Sequence, residues 1–214
     1  MARTLARLTL DHLGEFDDHV RSCLFWQLDP VSRSRIDDDQ RAAELEAWVS
    51  EVLREWGSCG RVLLVDDVPV GMALYAPVRF LAGAMTMPTA PVSPDAVLLA
   101  SVYVAPQHRG GGLGRMLVQG TARDLVERKI VAVEAFGDTR GTGGRDCVLP
   151  VDFLDAVGFK TQRSHATTPR MRMDLRTTRT WMSEVELAVE RLLGVVRPMP
   201  KKATRLGREP GRVG

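Results

Sequence analysis

Along residues 41–56, Leu45, Trp48, Val49, Val52, Leu53 and Trp56 recur at spacings of three and four, and Glu44, Glu46, Glu51, Arg54 and Glu55 fall mostly elsewhere. That is the stripe of an amphipathic helix, with its tryptophans as core anchors rather than ligand platforms. Gly57 to Gly60 end it. Residues 61–65 and 68–76, either side of Asp66-Asp67, then read as an antiparallel hairpin. Residues 96–104 (Ala-Val-Leu-Leu-Ala-Ser-Val-Tyr-Val) are almost continuously apolar, as in a strand buried on both faces. A helix over 113–128 and a second buried strand over 130–136 follow, making a strand–loop–helix–strand unit typical of a parallel crossover.

The weaker patterns predict a first strand over 5–10, a helix over 11–28, and a turn or helix start at Asp29-Pro30. After a loop over 137–146, a short helix through 153–157 ends at Gly158, where a glycine suits a C-terminal cap. Residues 159–165 and 170–175 form a last strand pair, and Ser183 with Glu186 starts a terminal amphipathic helix. Residues 78–95, with Pro88, Pro91 and Pro94, read as a long irregular insertion of the kind that is often functional beside a sheet.

The 214 residues suit one domain with extensions: a body over 1–178, a helix over 179–196 and a tail over 197–214. With 44% apolar and 26% charged residues the composition is globular. No apolar run is long enough for a membrane span and no leader pattern opens the chain, so a cytoplasmic protein is expected. Cys23, Cys59 and Cys147 are scattered without a CxxC pair and read as idle thiols; the four histidines show no ligand spacing, so no metal is expected. The net charge of +2 conceals an uneven distribution. Arg197, Lys201, Lys202, Arg205, Arg208 and Arg212 face only Glu209, so a basic tail follows a mildly acidic body. Such a tail is a solvated extension or, less in keeping with its composition, a contact for nucleic acid or an acidic partner.

Gly110, Gly111, Gly112 and Gly114 directly follow a buried strand and open a helix. Glycine lets a ligand approach the main chain closely, and the first amides of a helix lack internal partners, so such a turn suits phosphate oxygens. Neither the dinucleotide pattern GxGxxG nor a terminal Gly-Lys of a triphosphate loop fits. The run fits Arg/Gln-x-x-Gly-x-Gly/Ala, with Val104-Ala105-Pro106 before it.

The stretch from Val102 to Leu117 (Val-Tyr-Val-Ala-Pro-Gln-His-Arg-Gly-Gly-Gly-Leu-Gly-Arg-Met-Leu) resembles the acetyl-CoA motif of the GNAT superfamily of N-acyltransferases. The hairpin before it, the strand after it and Val157-Gly158-Phe159 fall in that family's order. The resemblance implies a mixed α/β (α+β) fold: a mostly antiparallel sheet with a central splayed parallel strand pair, flanked by helices. It implies that Arg109, Gly110, Gly111, Gly112, Leu113, Gly114 and Arg115 contact the diphosphate of acetyl-CoA, and that Val102, Tyr103 and Val104 line its pantetheine arm. It implies an N-acetyltransferase acting by direct attack of a primary amine, from a small molecule or a peptide, in a monomer or a homodimer.

An alkyl amine with a pKa near 10.4 is neutral only about once in 2,500 at pH 7, roughly 4.6 kcal/mol uphill, so a base or water chain helps. Where many family members place an acidic tyrosine this sequence has Leu154, and where an asparagine is frequent it has Cys147. Glu134, inside Ile-Val-Ala-Val-Glu-Ala-Phe, is the candidate base, a structural ion pair being the other reading. Tyr103 is a second catalytic candidate against a packing role, with Asp138, His165 and nucleophilic Cys147 behind it. These departures leave a non-catalytic acyl-CoA-binding module as the alternative.

Overall fold

The computed structural model describes residues 2–141 and 148–175; Cys147, the terminal helix and the basic tail lie outside them. Eight strands form one sheet in the order β1-β2-β3-β4-β5-β8-β7, with the short β6 beside β5. In chain order they are β1 (Arg3–Arg7), β2 (Gly60–Val65), β3 (Val68–Ala76), β4 (Ala96–Val104), β5 (Ala132–Asp138), β6 (Leu149–Pro150), β7 (Lys160–Arg163) and β8 (Arg170–Asp174). All pairs on that path are antiparallel except β4 with β5, the pair joined by the helical crossover.

The β2–β3 turn uses Asp66 and Asp67 at φ 49° and 66°, the left-handed geometry that two-residue hairpin turns need and that aspartate tolerates. Helix α4 (Arg41–Glu55) buries Leu45, Trp48, Val49 and Val52, as its stripe predicts. The expected helix over 11–28 is instead two short ones, α1 (Leu10–Gly14) and α2 (Asp18–Arg21). Asp17 breaks it by taking an extended ψ of 150° at the start of α2. A further turn of helix, α3 (Pro30–Arg33), starts where Asp29 accepts hydrogen bonds from the amides of Val31 and Ser32.

Two cores lie on opposite faces of the sheet. One holds α1, α2 and α4 with Val62, Met72, Leu74, Leu98, Ala100 and Phe136. The other holds α5 (Leu113–Glu127) and α6 (Val151–Ala156) with Leu63, Ala73, Tyr75, Val97, Leu99, Val133 and Ala135. The insertion over 78–95 belongs to the first core. Phe80, Leu81, Ala84, Met87 and Val92 are buried, and the Trp48 indole donates to the Phe80 carbonyl at 2.6 Å. It packs like a structural element, because apolar side chains rather than regular backbone hydrogen bonds hold it down.

Of the cysteines, Cys59 is a free thiol whose pKa burial pushes up to about 12. Among the described residues no helix is long and apolar enough to cross a membrane, and no cluster of His, Cys, Asp and Glu could hold a metal ion.

Candidate active site

Strands β4 and β5 pair over only three positions: Ala96 with Ala132, Val97 with Val133, and Leu98 with Glu134. Beyond Leu98 the register against β3 shifts, because Tyr75 pairs with Leu99 and Leu74 with Ser101, leaving Ala100 as a bulge residue. A bulge bends its strand and resets which face each side chain takes. Leu98 and Ala100 lie on the α4 face and Tyr103 follows them there, while Val97, Leu99, Val102 and Val104 pack toward α5. Past the bulge, β4 runs on without β5, so among the described residues one of its edges is open.

The open edge can be oriented from the peptide planes. Ala105 N–H donates to Val70 on β3 at 2.8 Å, and the Val104 carbonyl, in the same trans peptide, points the opposite way into the gap. The Tyr103 carbonyl faces β3, since it would lie 2.9 Å from a Cβ built on Gly71. Strand alternation therefore turns the Val102 and Val104 main-chain groups toward the gap. Glycine at 71 is required by that close approach.

The gap leads into the glycine turn. Gly110 and Gly112 take φ of 81° and 76°, a left-handed geometry that favours glycine, and Gly112 is the N-cap of α5. The first internal helix bond is Met116 N–H to the Gly112 carbonyl at 3.1 Å, so the amides of Leu113, Gly114 and Arg115 precede the hydrogen-bond ladder. A Cβ built on Gly110, Gly111 or Gly112 meets nothing within 4 Å; this is open space bounded by backbone donors at the positive end of a 15-residue helix. Gly114 differs. Its Cβ would come within 3.0 Å of the Phe153 ring, so its smallness lets α6 pack on α5 while its amide stays at the helix entrance. The arginines are partly engaged: Arg115 donates to the Ala156 carbonyl at 2.6 Å and Arg109 Nε to the Val104 carbonyl at 2.8 Å.

Tyr103 reaches across from β4 to the α1–α2 segment. Its hydroxyl donates to Asp17 at 3.4 Å, and its ring meets Phe16 and His19 edge-on. Burial, and then the Asp17 carboxylate, raise its pKa, so the phenol holds its proton more tightly than usual. Glu134 sits at the closed end of the gap with no exposed surface. One carboxylate oxygen lies 3.2 Å from Arg172; the other accepts from Ser93 N–H at 3.1 Å and lies 3.2 Å from Arg170. Arg172 is also gripped by Asp95, and that hydrogen bond is the main reason its pKa is raised. Leu154 is fully buried in the α5-side core. Asp138 is tied to Arg140, and the His165 ring accepts from the amides of Thr167 and Thr168 in the β7–β8 loop.

A buried acid that the sequence reading passed over is Asp124 in α5. It is fully buried, accepting from Arg61 at 3.0 Å and from the Tyr75 hydroxyl at 2.9 Å, with Arg128 at 3.4 Å. The signal for it was present: Leu113, Met116, Leu117, Gly120, Thr121, Asp124 and Leu125 form one helical stripe in which a lone carboxylate interrupts the apolar face.

A model of the acetyltransferase (GNAT) family matches residues 22–140, over half of the chain. The chain belongs to the GNAT acetyltransferase family. No curated protein matches its sequence. Solved structures share the fold at low identity. One is the PaiA N-acetyltransferase of Thermoplasma acidophilum in complex with coenzyme A, at 12% identity and a TM-score of 0.56, covering 81% of this chain and 99% of that one. Another is YncA of Salmonella typhimurium with acetyl-CoA, at 16% identity and 0.55, covering 82% and 95%. A third is a ribosomal-protein-alanine N-acetyltransferase of Brucella melitensis, at 20% and 0.51, covering 80% and 99%. The GNAT expectation of a mostly antiparallel sheet with one parallel, splayed pair is what this fold shows, and family membership supports acetyl transfer as its general chemistry.

Proposed function

We propose that the chain is an N-acetyltransferase that moves an acetyl group from acetyl-CoA to a primary amine of a small molecule or peptide by direct attack. The observation that carries the reading is continuity: the open edge of β4 leads, through the short 3-10 turn Pro106–His108, to a glycine turn at the entrance of α5. On this reading the diphosphate rests on the amides of residues 110–115, and the pantetheine arm pairs with Val102 and Val104 as an added strand would. The gap-facing amide of Val102 is the donor for the thioester oxygen as it gains charge. The neutral amine forms the new N–C bond, the C–S bond breaks, and the ammonium proton passes to water. Thiolate release needs little help, because a thiol pKa near 8.5 lies only about 1.5 units above neutrality.

Incubation with acetyl-CoA and a panel of amines and peptides, monitoring free thiol, tests the reading. Without a strong base, kcat/KM for an alkyl amine is expected to rise about tenfold per pH unit from pH 6 to 9, following the neutral fraction of an amine with a pKa near 10.4. A pH-independent plateau near neutrality refutes direct attack without a base.

The geometry favours Glu134 as the ion pair that fastens β5 to β8 and to the insertion, because both oxygens already have partners. Glu134→Gln is therefore expected to lower stability by about 1–3 kcal/mol through half-satisfied arginines while leaving kcat within about threefold. Loss of a general base lowers kcat by roughly a hundredfold or more, so kinetics with a melting curve separate the two roles. We assign Tyr103 a positioning role between β4 and Asp17, since its tightly held proton makes it a poor acid.

The alternative, an acyl-CoA-binding module without turnover, draws support from Leu154 and from the occupied Glu134. Binding of acetyl-CoA without thiol release on any acceptor favours it.

A further inference from the structure

One buried cation beside the gap has donors without acceptors. Arg170 is 9% exposed, and its Nε lies 3.2 Å from Glu134 without making a hydrogen bond. Among the described residues none accepts a hydrogen bond from its terminal nitrogens either. Arg172, two residues on, behaves differently: it grips Asp95 with two hydrogen bonds and Glu134 with a third. Burying a guanidinium with unfilled N–H groups is costly, because water satisfied each of them before folding.

The strand register places this cation. Arg170 pairs with Phe136 and Arg172 with Glu134 across β5 and β8, so all four lie on the α4 face, where Phe136 joins the core. Phe136 stands two residues beyond Glu134, past the last β4–β5 pair, where the gap opens. Trp26 stacks on its ring at 5.6 Å. The next residue in the chain, Gln27, is 6% exposed, and its Oε1 has no donor. Unfilled acceptors and unfilled donors therefore border one aromatic stack. Glu134 and Asp95 balance Arg170 and Arg172 in charge. Arg163, paired with Arg170 from β7, adds a further cation and donates to a neutral carbonyl, that of Ala90. The missing partner is an anion that also carries N–H groups.

We propose that Arg170 binds a carboxylate of the acceptor, so that the favoured substrate is an amino acid whose amine meets the thioester while its carboxylate meets the guanidinium. A guanidinium fork and a carboxylate match in two parallel hydrogen bonds. The inference rests on the acetyl-transfer reading and narrows it, since a peptide N-terminus presents an amide where an amino acid presents a carboxylate. The N–C bond forms and the C–S bond breaks as in that reading; Arg170 forms no covalent bond and moves no proton.

The full chain, R170K and R170A are assayed for thiol release with α-amino acids and straight-chain ω-amino acids, each beside its carboxamide, with rates referred to the neutral amine present. The wild type is expected to prefer acid to carboxamide by roughly tenfold or more in kcat/KM at the chain length that spans thioester and guanidinium. R170A is expected to bring that ratio to near one, the loss falling on KM for the acid. R170K keeps the charge but loses the fork, and its ratio is expected to lie between the two. Should R170A fail to fold, the wild-type ratio and its fall in R170K decide. A wild-type ratio of one or less at every chain length, or a preference that the variants retain in full, overturns the inference and leaves acetyl transfer standing. No thiol release with these acceptors or with the amine and peptide panel overturns both.

Discussion

Gly112→Val is expected to reduce coenzyme A affinity at least roughly a hundredfold while the protein stays folded. Residue 112 takes φ 76° and ψ 6° as the N-cap of α5, a left-handed conformation that costs an L-residue about 1–2 kcal/mol, and more when the side chain is β-branched. Relief of that strain rotates the peptide planes on either side, and those planes carry the amides that a diphosphate must find together. The new side chain also points into open space, since an ideal Cβ there touches nothing within 4 Å. The fold loses no packing, but the ligand loses its seat. Gly111→Ala provides the comparison, because Gly111 is not among the glycines with positive φ: it fills part of the same space without the backbone strain, so a smaller loss is expected. Calorimetry with coenzyme A, beside a melting curve for each variant, reads both effects. Wild-type affinity in Gly112→Val would remove the basis for placing a diphosphate on this turn.

The parts of the site that could be read from sequence are those set by short-range chemistry. The glycine turn, the continuous apolar run of β4 and the stripes of α4 and α5 announce themselves within a few residues of chain, and these three elements fall within one residue of expectation. Strand β5 begins two residues later than expected because Lys129, at φ 61°, continues the turn after α5. What depends on distant partners was not legible. The bulge at Ala100, which opens the gap, arises from pairing with Leu74 and Tyr75 and has no residue signature of its own. The partners of Glu134 come from Arg172, 38 residues along the chain, and from Ser93, 41 residues back. The break at Asp17 and the burial of the 78–95 insertion are likewise tertiary: only glycine fits at position 83, because the Phe25 and Leu28 carbonyls close over it.

These long-range ties bear on the site through α5, the element that carries the glycine turn at one end and Asp124 toward the other. Asp124→Ala is expected to destabilise the protein by about 3–5 kcal/mol, because it leaves Arg61 and Arg128 without their buried counter-charge. Arg128 cannot simply turn to solvent. Its terminal nitrogens donate to the Ser58 and Trp56 carbonyls at 2.7 Å, and its guanidinium lies 3.6 Å over the Trp56 ring, so α5, the end of α4 and the start of β2 share one node. Tyr75 loses an acceptor as well, which makes Tyr75→Phe the milder probe: it removes one donor but keeps the ion pairs, for an expected loss of about 0.5–1.5 kcal/mol. In a chain of this size each kcal/mol lowers Tm by roughly 2–4 °C, so Asp124→Ala is expected to melt on the order of 10 °C below the wild type. Denaturant unfolding and a melting curve measure both variants. A loss under about 1 kcal/mol for Asp124→Ala would show that the arginines find other partners or water, and that hydrophobic packing alone seats α5 against the sheet.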